Sequence, residues 1–287
     1  MVSLSLVSVA DALVPQVAAD WLLTVCRHTG QRWGPNAATE LFWYRPPKVH
    51  IFEFVVLHAF VCCCFYASRG YCRQAWRQLQ SAPRDRSTKS RVNQLLAVVL
   101  LVCWMCQVLF KATRPHPFVQ LGWLLMPCHL LTLLWAAVLM RGGRERYELN
   151  VYLASLAADY HWGPTAAAAS PDFGDHQYPI EGYVFVVHHA LLLLLPFYFA
   201  ARYELLPMTS KRLLHVTSVA VLVNVGPYTL YSYVSGLNLN YMLYPPPKLM
   251  HTFPFTSVAY RFYVIVALIV LTVLFHFIIS CCGGGPR

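Results

Sequence analysis

Long apolar runs separated by short polar linkers dominate the chain. Seven runs reach or approach the roughly 20 residues that an α-helix needs to cross about 30 Å of hydrocarbon. They predict spans at 49–68, 93–112, 118–140, 149–169, 181–201, 212–235 and 257–279. The fourth run is the weakest, because Asp159, His161 and Gly163-Pro164 interrupt it. The pattern predicts an all-α, polytopic membrane helix bundle with about seven transmembrane helices.

The segments outside these runs are short. Residues 1–47 are mixed in character, so we interpret them as an N-terminal extramembrane or interfacial segment, with an amphipathic helix near Leu13–Cys26. Residues 48–280 form the predicted seven-helix membrane domain. Residues 281–287 form a predicted short cytoplasmic tail.

Composition excludes an ordinary soluble domain. Of the 287 residues, 57% are hydrophobic and only 12% are charged, and the mean hydropathy is +0.48. Soluble domains carry about 25% charged residues. The length suits about six to eight spans with short loops, so a single membrane bundle accounts for the whole chain.

The net charge of +10 has a topological explanation. Basic residues cluster in the linkers 69–92, 141–148 and 202–212, which lie on one side of the membrane if the chain has seven spans. The loop 170–181, on the other side, is acidic. Because Lys and Arg concentrate in cytoplasmic loops, the N-terminus is expected to be outside or lumenal and the C-terminus cytoplasmic. The basic balance therefore predicts no nucleic-acid partner.

Polar and ionisable residues interrupt several spans, where they are costly and mark candidate functional positions. The second span has Gln107 and Lys111, which are four residues apart and therefore on one helix face. Lys111 also fits a side chain that extends to the membrane interface. The other candidates are Pro127-Cys128-His129 in the third span, His188-His189 in the fifth, and Asn238 and Asn240 after the sixth.

A cysteine and a histidine in contact form a nucleophile, because the imidazole accepts the thiol proton and the thiolate attacks an acyl carbonyl to give a thioester. Adjacent residues such as Cys128 and His129 point about 100° apart on a helix. A base from another helix is easier to place, and His188 or His189 fits that role. The residues alone favour an inert buried thiol and hydrogen-bonded core histidines over this nucleophile.

Motifs of other functional classes are absent from the sequence. There is no P-loop, no Gly-x-Ser-x-Gly elbow and no CxxC pair with a His partner at zinc spacing. No cofactor or metal is therefore expected. Two non-enzymatic interpretations stay open. One is a transporter or lipid-binding protein with a pathway along the broken fourth span, and the other, on span number alone, is a receptor.

Several short blocks occur in a specific order and spacing. They are Leu95-Leu96-Ala97-Val98, Phe110-Lys111-Ala112-Thr113, Pro127-Cys128-His129-Leu130, Trp162-Gly163-Pro164, Ser170-Pro171-Asp172-Phe173 and the stretch from Asn238 to Pro245. His189 stands seven residues before Pro196. Over about 93–247, these blocks together resemble the transmembrane protein 164 family and its bacterial YwaF relatives.

The resemblance implies an enzyme that acts on membrane phospholipids. The eukaryotic family member transfers polyunsaturated acyl chains from a phospholipid donor to lyso ether lipids, through the cysteine of a Pro-Cys-His motif that matches Cys128 here. On this expectation Cys128 is the nucleophile of a phospholipid acyltransferase or transacylase, and the catalytic base is His189 or, as the alternative left open, His129. Phospholipids and lysophospholipids are the expected partners, in the endoplasmic reticulum, the Golgi or another endomembrane.

The remaining candidates have supporting roles on this expectation. Asn238 and Asn240 are expected to orient the site or to hold an oxyanion. The residues expected to shape the site or contact a head group are His129, His188, Gln107 and Lys111. One position of the motif differs from the family pattern, since Met126 stands where the family often has Asn.

Overall fold

The computed structural model describes residues 5–33, 44–80, 90–142, 147–171, 173, 176–203 and 205–282. The described residues are 80% helical and contain no strand. In chain order the helices are α1 (Leu6–Leu13), α2 (Gln16–Trp33), α3 (Pro47–Ala67), α4 (Tyr71–Gln80), α5 (Arg91–Ala112), α6 (Pro117–Gln120), α7 (Pro127–Met140), α8 (Tyr147–Asp159), α9 (Trp162–Ala169), α10 (Pro179–Arg202), α11 (Ser210–Val223), α12 (Thr229–Ser235) and α13 (Tyr260–Cys282). A π-helical turn (Asn224–Tyr228) joins α11 to α12, and 3₁₀ turns lie at Leu121–Leu125, Leu239–Tyr241 and Pro247–Leu249.

Among the described residues, five helices are long and apolar enough to cross a membrane, and up to seven spans result if each of two bent pairs is one span. The single spans are α3, α5, α10, the segment Ser210–Ser235 and α13. The bent pairs are α1 with α2, at 100°, and Pro117–Leu125 with α7. The predicted polytopic helix bundle is therefore confirmed.

Several boundaries differ from the predicted spans. The predicted third span corresponds to two helical pieces, and the second piece, α7, begins at Pro127. The run at 149–169 forms α8 and α9, of 13 and 8 residues, and at about 1.5 Å per residue neither crosses the hydrocarbon alone. The helices α1 and α2, in the segment expected outside the membrane, together have the composition of a bent span.

The sidedness of the membrane domain, with the N-terminus outside and the C-terminus cytoplasmic, stays a prediction. Much of the charge on which it depends lies outside the described residues. These positions are Arg84, Arg86, Lys89, Arg144, Arg146, Asp172 and Asp175, and the end of the tail at 283–287 lies outside them as well.

The chain divides into two compact units. Unit 1 comprises Met1–Ala67, Arg114–Leu125 and Thr217–Ala267, and unit 2 comprises Ser68–Thr113, Met126–Val216 and Leu268–Arg287. The chain passes between the units within α11 and again within α13.

Unit 2 is a bundle in which α5, α7, α8 and α10 pack around one apolar core. Trp135 of α7 and Phe199 of α10 are in contact within this core. Ser90 caps α5 by accepting the N–H of Asn93 at 3.0 Å. Spacings of three and four place the buried positions of α5 on one face. They are Asn93, Ala97, Leu100, Cys103, Gln107 and Lys111.

A buried ion pair ties together three helices of unit 2. Arg212 of α11 donates from Nε and Nη2 to Oδ2 of Asp159 in α8, at 2.9 and 2.7 Å. Nδ1 of His276 in α13 lies 3.4 Å from the other carboxylate oxygen. Nε2 of this ring accepts the backbone N–H of Met208 at 3.1 Å. Asp159, which interrupts the predicted fourth span, therefore has a counter-charge inside the bundle.

Unit 1 is built on α3, against which α1, α2 and the π-helical turn pack. Gly122 allows the ring of Tyr231 in α12 to approach the backbone, because a Cβ at this glycine would overlap the ring. α12 ends at Gly236, whose φ of 75° is in the left-handed region that commonly terminates helices.

Candidate functional site

The Pro-Cys-His motif opens a helix rather than kinking one. Pro127 is the first residue of α7, where its missing N–H and fixed φ suit the helix start. Met126 before it has a ψ of 146°, as expected for a residue that precedes proline. Cys128 therefore lies in the first turn of α7, at the positive end of the helix dipole, which favours a thiolate or a developing oxyanion.

Cys128 points into unit 2. It shares a helix face with Leu131, Thr132 and Trp135, and its half-buried side chain packs against the apolar core. Within the residues that the structure describes, the sulfur makes no hydrogen bond to a histidine nitrogen.

His188 of α10 is fully buried and bonds Thr132, one helical turn after Cys128. The Thr132 hydroxyl donates its single hydrogen to the carbonyl of Cys128 at 2.8 Å. It must therefore accept from His188, so Nε2 of that ring carries the hydrogen. In a neutral ring the lone pair is then on Nδ1, which is buried and has no hydrogen-bond partner among the described residues.

The neighbouring ring has the opposite arrangement. Nδ1 of His189 lies 2.9 Å from the carbonyl of Phe185, and since a carbonyl only accepts, Nδ1 carries the hydrogen. The ring of Phe185 stacks on His189 with 3.9 Å between centroids. In a neutral ring the lone pair is then on Nε2, which is buried and lacks a partner in the described part of the chain. A ring in this state can accept a proton, as a general base must.

The three histidine rings form one cluster. The ring of His129 stacks on His188 at 5.4 Å with 19° between the planes, and His188 meets His189 at 5.1 Å. Lys111 of α5 is buried and close enough to His129 to interact with it electrostatically. Gln107 lies one turn earlier on the same buried face. Across the described ranges, no group of three or more His, Cys, Asp or Glu side chains is arranged to hold a metal ion.

Not all of the predicted site residues lie in one unit. Those in unit 2 are Cys128, His129, His188, His189, Gln107 and Lys111. Asn238 belongs to unit 1, where it donates to the carbonyl of Tyr244 and accepts the N–H of Leu243, each at 2.8 Å. Both bonds join Asn238 to the backbone of the loop that contains it. Asn240 is also in unit 1, has a positive φ of 47°, and donates to the side chain of Asn224.

Blocks that carry the family resemblance meet around the histidine cluster. Gly163 lies against Pro127, and a Cβ at this glycine would be 3.4 Å from that of the proline. Phe173 packs edge-on against Phe185 at 5.2 Å, and Phe185 in turn stacks on His189. Gly163 and Phe173, which belong to two of these blocks, thus lie against the start of α7 and against the ring that stacks on His189.

Thr132 is a site residue that the sequence analysis missed. A threonine in a span usually bonds a carbonyl of its own helix, as Thr132 does with that of Cys128. Its four-residue spacing from Cys128 is the one local signal that places it on the same face. Its second bond, to His188, joins residues 56 positions apart and becomes visible only in the fold.

These features define the class of the protein, a polytopic all-α membrane protein whose bundle holds a cysteine in the first turn of a helix and a cluster of three histidines. The family model of the TMEM164 family matches residues 44–279. This is most of the chain, which therefore belongs to the TMEM164 family.

A curated relative matches the chain, and the match covers most of both proteins. It is the "Transmembrane protein 164 homolog" of Dictyostelium discoideum, 24% identical over 223 residues that cover 71% of this chain and 74% of the relative. No solved structure matches the chain. The resemblance carried by the short blocks is thus confirmed at the level of the family.

Proposed function

We propose that the protein is a phospholipid acyltransferase or transacylase that works through an acyl-thioester on Cys128. The observation that carries the proposal is the arrangement of unit 2. It combines a thiol at the start of α7 with α10 histidines whose lone-pair nitrogens are buried without partners among the described residues. Membership of the TMEM164 family supports it, because the family's Pro-Cys-His motif implies this chemistry.

The first half-reaction loads the cysteine. Nε2 of His189 accepts the thiol proton of Cys128, and the thiolate attacks an ester carbonyl of the donor phospholipid. The tetrahedral intermediate then breaks the ester bond, so the acyl chain stays on sulfur. The lysophospholipid leaves as an alcohol after taking the proton from the imidazolium. The positive end of the α7 dipole stabilises the oxyanion.

The second half-reaction returns the acyl chain to lipid. The hydroxyl of a lysophospholipid, with ether lipids as the preferred class, gives its proton to His189 and attacks the thioester. The C–S bond breaks, the thiolate recovers the proton, and a new phospholipid leaves. The Cys128 sulfur and Nε2 of His189 approach each other when substrate binds, since catalytic hydrogen bonds often tighten only in the substrate complex.

Other members of the cluster position the reacting groups. Thr132 holds His188, and the ring of His188 stacks on His129. Lys111 is a buried cation on α5 and suits the phosphate of a substrate head group. The proposed location is an internal membrane such as the endoplasmic reticulum or the Golgi.

Substitution of the cysteine tests the proposal. We expect Cys128→Ser and Cys128→Ala to abolish acyl exchange between a labelled phospholipid and a lysophospholipid in nanodiscs. Cys106→Ala is the matched control, because Cys106 is also a half-buried thiol in a span, and it should keep the activity. The wild type and the control should carry an acyl group on Cys128 that hydroxylamine releases, detected by mass spectrometry.

Two outcomes would contradict the mechanism. One is acyl exchange at the wild-type rate in Cys128→Ser at equal expression. The other is acyl exchange in the wild type with no thioester at any stage of a rapid-quench time course, which would indicate direct transfer between lipids.

A second candidate function is transport or lipid binding without chemistry. The π-helical turn at Asn224–Tyr228 favours it, because it interrupts the candidate span Ser210–Ser235 and such interruptions are frequent at functional sites. A transporter would give saturable flux in proteoliposomes, and that flux would survive Cys128→Ser. Acyl exchange would then be absent from both the wild type and Cys128→Ser.

A further inference from the structure

A cluster of charged residues in unit 1 lies outside the site described above. Glu53 of α3 accepts from Nη1 of Arg45 and, at 3.3 Å, from Nη1 of Arg261 in α13. Arg45 and Glu53 are 0% exposed and Arg261 is 3% exposed. Two guanidinium groups thus share one carboxylate, which leaves one positive charge in excess within these three residues.

One edge of the Arg261 guanidinium donates no hydrogen bond to a described residue. Its Nε and Nη2 are buried and have no hydrogen-bond partner in the described part of the chain, and the same is true of Nε in Arg45. The Nε/Nη2 edge of an arginine is a fork that binds a carboxylate or phosphate with two parallel bonds. Arg212 shows this edge in use, since both of its atoms donate to Asp159.

Among the described residues, the groups around the two arginines do not cancel the excess charge. Nδ1 of His50 lies 3.3 Å from Nη2 of Arg45, and because a guanidinium only donates, this nitrogen accepts and the ring is neutral. The ring of Tyr260 lies 4.8 Å from Cζ of Arg45, and its hydroxyl donates to the carbonyl of Tyr241. The excess charge has no counter-charge within the described ranges, and a buried charge in that state is costly, so an anion would complete this site.

The two arginines stand at the ends of candidate spans. Arg45 lies two residues before α3 begins at Pro47, and Arg261 is the second residue of α13. The ends of spans lie where the hydrocarbon meets the head groups. The oxyanion abundant at that depth is the phosphodiester of a phospholipid, and it carries the single negative charge that the cluster requires.

We propose that Arg261 and Arg45 form a binding site for a phosphate group with one negative charge, which a phospholipid head group supplies to the Nε/Nη2 edge of Arg261. The inference goes beyond the proposed function, because the residues belong to unit 1 and their binding requires no chemistry at Cys128. Free phosphate has the same chemistry, so the experiment separates the two sources.

Binding is measured without turnover, on the full chain in detergent and in the Cys128→Ala background. The thermal unfolding midpoint is followed while dihexanoylphosphatidylcholine, inorganic phosphate or hexanoate is added. We expect the phospholipid to raise the unfolding midpoint, and we expect this rise to saturate with phospholipid concentration. Arg261→Gln should weaken its apparent affinity by at least about tenfold, because a charge-assisted bidentate contact is lost. Arg202→Gln, which removes an exposed arginine, should bind as the parent does.

Two further variants keep the test decisive if Arg261→Gln does not fold. Arg261→Lys keeps the charge without the fork and should also bind the phospholipid more weakly than the parent. Glu53→Gln removes the carboxylate that competes for both arginines and should bind it more tightly. A purely structural cluster would instead lose stability in Glu53→Gln without any gain in affinity, and that result would overturn the proposal.

The probes identify the anion. A response to inorganic phosphate with none to the phospholipid would overturn the lipid assignment, and a response to hexanoate alone would replace the phosphodiester with a carboxylate. Equal affinity for the phospholipid in the parent and Arg261→Gln, or no response to any probe, would overturn the site itself.

Discussion

His189 donates from Nδ1 to the carbonyl of Phe185 at 2.9 Å, whereas His188 beside it donates from Nε2 to Thr132. The two adjacent rings therefore present opposite nitrogens as lone pairs, Nε2 in one and Nδ1 in the other. Neither nitrogen has a hydrogen-bond partner among the described residues. Unit 2 thus contains two buried proton acceptors, and their roles can be separated by substitution.

Replacing the proposed base should affect activity without affecting the fold. In His189→Gln the amide still donates to the carbonyl of Phe185 but accepts no proton at neutral pH. We expect acyl exchange to fall by about 10²- to 10⁴-fold, the range for loss of a general base, while the thermal unfolding midpoint in detergent stays unchanged. The measurement is the initial rate of exchange in nanodiscs at matched protein concentration.

His161→Gln is the control for this prediction. His161 is a buried ring of unit 2 that contacts Phe197 and Phe275 rather than the histidine cluster, so its replacement should leave the rate of exchange near that of the wild type. If His188→Gln abolishes exchange while His189→Gln retains it, the base is Nδ1 of His188 and our assignment is wrong.

Thr132 should act on the site through His188. Thr132→Val keeps the shape of the side chain but leaves the Nε2 hydrogen of His188 buried without an acceptor. We expect the free energy of unfolding to fall by about 1–3 kcal/mol, together with the rate of acyl exchange. Thr132→Ser keeps the hydroxyl and should restore both quantities. A valine variant with wild-type stability and rate would show that this hydrogen bond contributes nothing.

The spans could be predicted from the sequence because a lipid-exposed helix must be apolar along its length. Breaks within them were predictable where a proline marks the position, as at Pro127. The apolar run at 149–169 is misleading, because hydropathy does not distinguish one span from two short helices that are buried in protein. Residues 6–26, which we expected outside the membrane, have a 100° bend that divides their apolar content between two helices.

The candidate site could be predicted only in part. Cys128, His188 and His189 stand out because ionisable residues are rare at membrane depth. The buried clusters depend on contacts that no local pattern reveals. Asp159 and Arg212 are 53 positions apart, and Glu53 and Arg261 are 208 apart. Asn238 has the right residue type for an oxyanion site, yet its amide bonds the backbone of its own loop.

Gly122 should not tolerate a side chain. A Cβ there would overlap the ring of Tyr231, so Gly122→Ala should lower the free energy of unfolding by about 1–3 kcal/mol, as overpacking does. Adding Tyr231→Ala should recover part of this loss. Gly182→Ala is the control, because a Cβ at Gly182 meets nothing within 4 Å and alanine favours the helix. Equal stability of the two alanine variants would contradict the close approach of the ring.

Asp159 should be required for stability because it neutralises Arg212 inside unit 2. Asp159→Asn leaves a buried guanidinium without its counter-charge, and we expect the free energy of unfolding in detergent to fall by about 3–5 kcal/mol. Adding Arg212→Met removes the uncompensated guanidinium and should recover much of the lost free energy of unfolding. Lys48 and Asp11 form a pair at 3.6 Å in which Asp11 is exposed and Lys48 half-buried, so Asp11→Asn should change stability by at most about 1 kcal/mol. If the double variant is as unstable as Asp159→Asn alone, the loss comes from packing or from the contact with His276 rather than from the uncompensated charge.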